Sequence, residues 1–161
     1  MSVQTTFAAD PAIGMPGRIY DSGTFHDIVT LKAQEALPFG TVVRINGEYC
    51  ELPDNSGEVT GNQLGVVVAD ASSAAADNGY PANHPCVAVL KTGRIWAASE
   101  TALANDARPF VRFAVGTASQ QGAIRNDADT ASAVQVAQGI KVYCGNAAAG
   151  LVVRELGKTG E

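Results

Sequence analysis

The stretch TVVRINGEYCEL, residues 41–52, decides the class of fold. Two short runs rich in β-prone residues flank Asn46-Gly47, and this dipeptide is the strongest short-range sequence signal for a β-hairpin. The run 87–96 has the same form around Thr92-Gly93, which is a less specific turn pair. The sequence therefore predicts two antiparallel strand pairs, one at each turn.

Short β-prone runs bounded by turn residues continue on both sides of the first hairpin. The 17 glycines and 7 prolines in 161 residues favour many short strands over a helical bundle. The predicted strands are residues 28–31, 41–45, 64–69, 86–91, 94–98, 110–115, 134–136, 140–143 and 151–154. We therefore expect an all-β protein, built as a small antiparallel β-barrel or β-sandwich.

Two further expectations concern local structure. Ser99 and the good helix formers up to Leu103 predict one short helix, which Pro109 stops within about two turns. In the run 110–115, alternation places Arg112 on one face of a strand. The opposite face, which we expect to be the core face, consists of Val111, Phe113 and Val115.

Residues 1–24 differ from the rest of the chain and form a predicted extended N-terminal arm. Their proline and glycine content disfavours a helix, while their apolar side chains are too numerous for a solvated tail. We expect the arm to lie against its own barrel or against a neighbouring subunit. A single β-domain is expected over residues 25–156, with a frayed tail at 157–161. The candidate partner-binding residues of the arm are Phe7, Pro11, Ile13, Met15, Pro16, Arg18 and Tyr20.

The loop 70–85 separates two predicted strands by more residues than most connections within a domain contain. One interpretation is a mobile surface loop. The other is a contact loop that presents Tyr80 and Pro81 to a partner, since long loops often carry binding residues. Both interpretations stay open at the level of sequence.

The composition excludes several classes of partner. A net charge of −5 provides no basic field for phosphates, so no nucleic acid is expected. The longest apolar runs fall far short of the roughly 20 residues that span a bilayer, so no membrane is expected. The N-terminus has no signal-peptide pattern, which favours synthesis in a cytoplasm. An odd number of widely spaced cysteines favours buried, reduced thiols at Cys50, Cys86 and Cys144.

Residues that could catalyse a reaction or bind a metal are few. His84 stands near Cys86, but no second cysteine or histidine lies at ligand spacing. His26 and Asp27 are adjacent on a predicted strand and therefore point to opposite faces. Residues 127–130 resemble a calcium loop without its glycine and its distal glutamate, so a polar turn is expected. No hydrolase, phosphate-binding or dinucleotide-binding motif occurs, and we expect no enzyme activity, no metal and no cofactor.

Three segments of the chain carry a family resemblance. They are PGRIYDSG at 16–23 with HDIVT at 26–30, EALPFGTVV at 35–43, and RNDADTA at 125–131 with GIKV at 139–142 and GLVV at 150–153. Together they resemble the structural cement, or decoration, proteins of tailed-bacteriophage capsids. The resemblance implies a small, non-enzymatic β-protein of the virion, commonly a homotrimer, on the outer surface of the head. It also implies that the major capsid protein is the partner and that its subunits are bridged.

Two other functions stay open. A receptor- or glycan-binding module of a head fibre or tail would be marked by an aromatic cluster in loops, for which Tyr80 and Trp96 are the candidates. A small hydrolase with a β-fold would need an acidic side chain close in space to His26 or His84.

Overall fold

The computed structural model describes residues 15–20, 26–61, 63–70, 78–114, 121–136, 140–145 and 150–156. Over these residues the chain forms short strands and one short helix, which confirms the all-β class. In chain order the elements are β1 (Asp27–Ala33), β2 (Leu37–Pro38), β3 (Val42–Asn46), β4 (Tyr49–Glu51), α1 (Ser56–Gly61), β5 (Gln63–Val67), β6 (Gly79–Tyr80), β7 (Val87–Ser99), β8 (Phe110–Arg112), β9 (Ile124–Arg125), β10 (Ala133–Gln135), β11 (Ile140–Cys144) and β12 (Gly150–Leu156).

Five of these strands close into a small barrel. Their order is β1-β4-β3-β5-β7, and β7 pairs with β1 again. All five strands contribute to one cluster of buried side chains, in which Val43, Val67 and Val89 have no exposed area. Because side chains alternate between the two faces of a strand, every second residue points into this interior. The barrel therefore has an apolar core of its own.

The hairpin predicted at residues 41–52 is confirmed. β3 and β4 are antiparallel, with Asn46 opposite Tyr49, so the two-residue loop is Gly47-Glu48. Gly47 has a φ of 62°, and glycine at the first loop position is what a type II′ turn requires. The glycine of the dipeptide therefore makes the turn, while the asparagine ends the strand.

β7 joins the barrel to the rest of the domain. Its first half pairs with β1 and β5, and its second half, from Gly93 to Ser99, pairs with β12. The predicted hairpin at Thr92-Gly93 is therefore wrong. The register with β1 shifts at this place, and Gly93 has a φ of 130°. The glycine bends one strand of 13 residues from the first sheet into the next, as glycines at β-bulges do.

An outer sheet is built on the second half of β7. It contains β12 and β11 on one side and β9, β8 and β10 on the other. Outward side chains of the barrel, such as Val66 and Leu90, pack with outer-sheet residues such as Ile95 and Val111 in a second apolar cluster. Val111 and Phe113 contact this cluster, as the alternation predicts, whereas Val115 lies outside the described residues.

The predicted position of the helix is wrong. Residues 99–103 are not helical, because Ser99 ends β7. The helix α1 is capped by Asn55, whose side-chain oxygen accepts the N–H of Glu58 at 3.1 Å. Asn55 and Glu58 have the spacing of a helix-capping pair. The six residues of α1, however, are too few to show the apolar periodicity by which a helix is predicted from sequence. Among the described residues, no helix has the length and apolar character needed to cross a membrane.

The cysteines differ from one another in exposure. Cys50 is buried in the barrel, and this burial, together with the nearby Glu51 carboxylate, raises the pKa of its thiol to about 11. Cys86 is exposed, so the prediction of a buried thiol is wrong at that position. It precedes β7 instead of opening it, and the inward-facing positions begin at Val87. The side chain of Cys144 lies outside the described residues.

Candidate functional site

Residues 15–20, the described part of the predicted arm, form a strap that lies along β7. The N–H of Gly17 donates to the Trp96 carbonyl at 2.8 Å, and the N–H of Trp96 donates to the Arg18 carbonyl at 2.9 Å. The N–H of Tyr20 donates to a further carbonyl of β7 at 2.9 Å. The strap is antiparallel to β7. This part of the arm therefore lies against its own domain, which is the first of the two expected positions.

Two glycines let the strap pass close to the barrel. Gly17 has a φ of 80° and Gly40 a φ of 75°. A Cβ on Gly17 would lie 2.7 Å from the Ala69 nitrogen, and a Cβ on Gly40 would lie 2.7 Å from the Gly17 nitrogen. These distances are too short for any side chain, so the crossing requires glycine at both positions. The crossing fixes the position of the strap on the domain.

A group of aromatic and arginine side chains lies beside the strap, and we call Tyr20, Arg94, Trp96 and Tyr143 the arginine–aromatic layer. The Tyr20 ring lies 5.5 Å from the Trp96 ring, edge to face, and 5.9 Å from the Tyr143 ring, between centroids. The Arg94 guanidinium lies 3.7 Å from the centroid of Tyr143. Tyr20 and Tyr143 are 40% and 39% exposed, whereas Trp96 is nearly buried. Aromatic residues and arginine are enriched at the centres of protein interfaces.

Tyr143 reaches this layer through an irregularity in β11. The pairing of β11 with β12 shifts register between Val142 and Cys144, so Tyr143 is the extra residue of a β-bulge. Because a bulge re-aims a side chain, the ring can reach across β12 to Arg94 on β7. The residues of the layer are far apart in sequence, and only this strand order brings them together. No local sequence pattern could have predicted the layer.

A second group of side chains forms ion pairs in the outer sheet. We call it the ion network, and it consists of Glu100, Arg112, Arg125, Asp127 and Asp129. The Arg112 side chain is 2% exposed. It donates to both carboxylate oxygens of Glu100 at 2.9–3.2 Å, and also to Asp129. Arg125 donates to Glu100 at 2.8 Å and to Asp127 at 2.9 Å. Both faces of β8 are therefore buried, including the face on which the alternation places Arg112. The guanidinium can be buried there because carboxylates accept its hydrogen bonds.

The ion network holds an unusual turn. Asp129, Thr130 and Ala131 have φ values of 40°, 54° and 67°, a left-handed conformation that costs roughly 1–2 kcal/mol per L-residue. The hydrogen bond from Arg112 lowers the pKa of the Asp129 carboxyl. The predicted polar turn at 127–130 is therefore confirmed, and guanidinium groups hold its carboxylates.

A model of the family described as structural cement protein (E217 gp24/Pam3 gp6) matches residues 3–157. This chain belongs to the structural cement protein family. The match includes the strap, the arginine–aromatic layer and the ion network. The cement protein therefore has a structural role in a phage capsid, and it is a protein of the virion.

The fold of this cement protein is also seen in a solved chain from the capsid of Myoviridae phage XM1. The two chains are 14% identical with a TM-score of 0.74, and the likeness covers 98% of this chain and 99% of that chain. At this identity the likeness establishes the fold alone. No curated protein matches the chain at a significant level.

The predicted partner-binding residues of the arm fall into two groups. Within the strap, Met15 is 55% exposed, Arg18 is exposed and Pro16 is half-buried. Tyr20 belongs to the arginine–aromatic layer. The remaining three lie outside the described residues, namely Phe7, Pro11 and Ile13.

The loop 70–85 does not expose Tyr80, as one of its two interpretations required. Tyr80 is 2% exposed, because it lies in β6 and packs on Phe39 and His84 with centroids 5.3 and 5.0 Å away. The expectation that the loop displays Tyr80 is therefore wrong, since its ring belongs to the barrel core. Pro81 is exposed, and residues 71–77 lie outside the described part of the chain.

Both histidines of the cement protein have packing roles. The Nδ1 atom of His84 accepts the N–H of Cys86 at 3.3 Å, just before β7 begins. The ring of His26 lies against Gly93, where an added Cβ would be 2.5 Å from a ring carbon. In the part of the chain that the structure describes, no group of three His, Cys, Asp or Glu side chains could hold a metal ion.

Proposed function

We propose that this cement protein binds the outer surface of an assembled phage head and stabilises it by bridging subunits of the major capsid protein. The observation that carries the proposal is the family match over residues 3–157. The build of the domain supports it. The barrel is closed, and the strap exposes Met15, Arg18 and Tyr20 at a place fixed by backbone hydrogen bonds.

The stabilisation follows from mass action. A ligand that binds only the assembled shell lowers its free energy by RT ln(1 + [L]/Kd), which is about 2.7 kcal/mol at about a hundredfold excess over Kd. A head repeats the same site many times, and an oligomer that contacts several capsid subunits gains avidity from simultaneous binding. Modest contacts at each site are therefore sufficient for stable attachment.

Addition of the purified protein to heads that lack it tests the proposal. The wild-type chain and a control without residues 157–161 should saturate the heads and raise their melting temperature. A chain without residues 1–14 should occupy fewer sites, because Phe7 and Ile13 would each contribute roughly 1.5–3 kcal/mol if a partner covered them. Its own thermal midpoint should stay within a few degrees, since the strap is retained. Full decoration of the heads by the truncated chain would mean that residues outside 1–14 contact the capsid, and Pro81 would be the next candidate.

We further propose that the protein is a homotrimer, as the family resemblance implies. The exposed rings of Tyr20 and Tyr143 support self-association, because aromatic residues are enriched at the centres of protein interfaces. Sedimentation equilibrium at micromolar concentration should give the mass of a trimer. A monomeric mass under these conditions would contradict a trimer that forms before the protein binds the capsid.

A second candidate function is a receptor- or glycan-binding module of a head fibre or tail. One observation favours it, namely that the arginine–aromatic layer is an aromatic cluster, although its rings lie on the strap and on strands and not in loops. Host-surface glycans should then bind the wild-type chain and not the Tyr20→Ala variant, while capsid occupancy stays unchanged. Glycan binding that is absent in both chains would remove this candidate.

A further inference from the structure

The chain has four tyrosines, and two of them are in contact at the surface. The rings of Tyr20 and Tyr143 have centroids 5.9 Å apart, and the two residues are 40% and 39% exposed. Tyr80 is buried in the barrel core. Tyr49 is 41% exposed, but no aromatic ring of the described residues contacts it. Tyr20 and Tyr143 are therefore the two tyrosines that combine exposure with mutual contact.

Arg94 holds both of these rings in place. The Tyr20 N–H donates to the Arg94 carbonyl at 2.9 Å, which fixes the backbone of the strap at this point. The guanidinium of the same arginine lies 3.7 Å from the Tyr143 centroid, and a cation at this distance attracts the face of the ring. Trp96 also contacts Tyr20, with 5.5 Å between the ring centroids. The two phenols thus stay side by side in the folded chain, although they are distant in sequence.

Two phenols in contact can be joined by oxidation. A one-electron oxidant removes one electron and the phenolic proton from each ring, and the two phenoxyl radicals join through a carbon–carbon bond between positions next to their hydroxyl groups. The hydrogen on each joined carbon is then transferred, through water, to the oxygen of the same ring, which restores both phenols. The sum is a loss of two electrons and two protons. Hydrogen peroxide accepts them and becomes two molecules of water.

Contact determines which tyrosines couple in this way. Two reactants that are held together react in a unimolecular step, whereas isolated phenoxyl radicals must first meet in solution. We propose that Tyr20 and Tyr143 form an oxidative cross-linking site, at which a peroxide-driven one-electron oxidant joins them as dityrosine within one molecule. The bond fastens the strap to β11 across β7 and β12. This inference goes beyond the proposed function, because it needs neither a capsid nor a second copy.

Oxidation of the purified full-length chain by hydrogen peroxide and a haem peroxidase tests the site. Tyr20→Phe and Tyr143→Phe keep the ring and remove the phenol, and Tyr49→Phe is the matched control because its exposure is nearly the same. Peptide mapping by mass spectrometry should find Tyr20 joined to Tyr143 in the wild type and in the control. Dityrosine fluorescence should be lower by roughly tenfold or more in the other two variants. Equal fluorescence of all four chains would overturn the proposal.

Dilution separates a bond within one molecule from a bond between molecules. The yield of an internal bond does not depend on protein concentration, and a reducing denaturing gel should show the mass of a single chain. The reductant breaks any disulfide formed by the exposed Cys86 and leaves the carbon–carbon bond intact. Covalent dimers as the main product would overturn the proposal. A bond from Tyr20 to Trp96 in place of Tyr143 would overturn it as well.

The cross-linked chain should hold its strap more firmly. The Trp96 N–H donates to the Arg18 carbonyl at 2.9 Å, so hydrogen exchange of this amide measures detachment of the strap. After oxidation the exchange should be slower in the wild type and unchanged in Tyr143→Phe. The thermal midpoint of the wild type should also rise by several degrees, because a cross-link over a long loop restricts the unfolded chain. An unchanged exchange rate in chains that carry the mapped bond would refute the fastening of the strap.

Discussion

The barrel and the outer sheet are stabilised in different ways. The barrel closes on aliphatic side chains, and its Arg44 pairs with Glu51 and Glu58 near the surface, where 22% of the arginine side chain is exposed. In the outer sheet, Arg112 pairs with carboxylates at 2% exposure. Apolar burial has no directional requirement, whereas a buried guanidinium needs its partners in place. The barrel should therefore tolerate substitution better than the sheet that holds the ion network.

Removal of the two arginines should give the largest contrast between the regions. Arg112→Ala removes a guanidinium whose side chain is 2% exposed, and it leaves Arg125 as the remaining cation for Glu100 and Asp129. The loss should cost about 3 kcal/mol of unfolding free energy. Arg44→Ala removes the more exposed arginine, at 22% against 2%, and should cost less, about 1 kcal/mol. Urea unfolding measures both variants. Equal losses would mean that burial does not distinguish the two clusters.

The glycine crossing under the strap should be the next most sensitive place. Gly17→Ala introduces a Cβ against backbone atoms at a φ of 80°, which should cost about 1–3 kcal/mol. The strap should then detach, and the Trp96 amide, which donates to Arg18, should lose protection from hydrogen exchange. Gly61→Ala is the matched control, because a Cβ there meets nothing within 4 Å. If the Trp96 amide of the Gly17→Ala variant stays protected from hydrogen exchange, the strap accommodates the added Cβ without detaching.

The ion network should make the free energy of unfolding depend on pH in the acidic range. The hydrogen bond from Arg112 lowers the pKa of Asp129. Its contribution is therefore present above the unfolded-state pKa of about 3.9 and is lost as the pH falls through the lower folded-state value. Urea midpoints between about pH 5 and pH 2 should fall less steeply for Asp129→Asn than for wild type. Parallel curves would mean that this carboxylate does not contribute.

The histidines should show the smallest effect. A chain with His26→Gln and His84→Gln together should lose about 1 kcal/mol or less, since both positions are partly exposed and glutamine retains an acceptor. Capsid attachment and the thermal midpoint measure the outcome. Stoichiometric zinc in the wild-type protein that is lost in this variant would contradict their interpretation as packing residues.

The sequence predicted what is local and missed what depends on topology. The hairpin at 41–52 follows from adjacent residues and is present. Gly93 shows the limit, because a glycine with positive φ serves a tight turn or a bent strand equally well. Arg112 shows a second limit of sequence analysis. Alternation tells which residues share a face of a strand, but it does not tell whether both faces are buried. Tyr143 enters the arginine–aromatic layer only because of the strand order and a bulge.

The strap also determines how the molecule bears mechanical load. Its hydrogen bonds to β7 involve Gly17, Arg18 and Tyr20, and bonds of an antiparallel pair lie perpendicular to the strands. Tension on the arm directed along β7 therefore shears these bonds together, whereas tension directed away from the sheet breaks them one after another. A pull on the N-terminus along β7 therefore meets a stronger resistance than a pull away from the sheet.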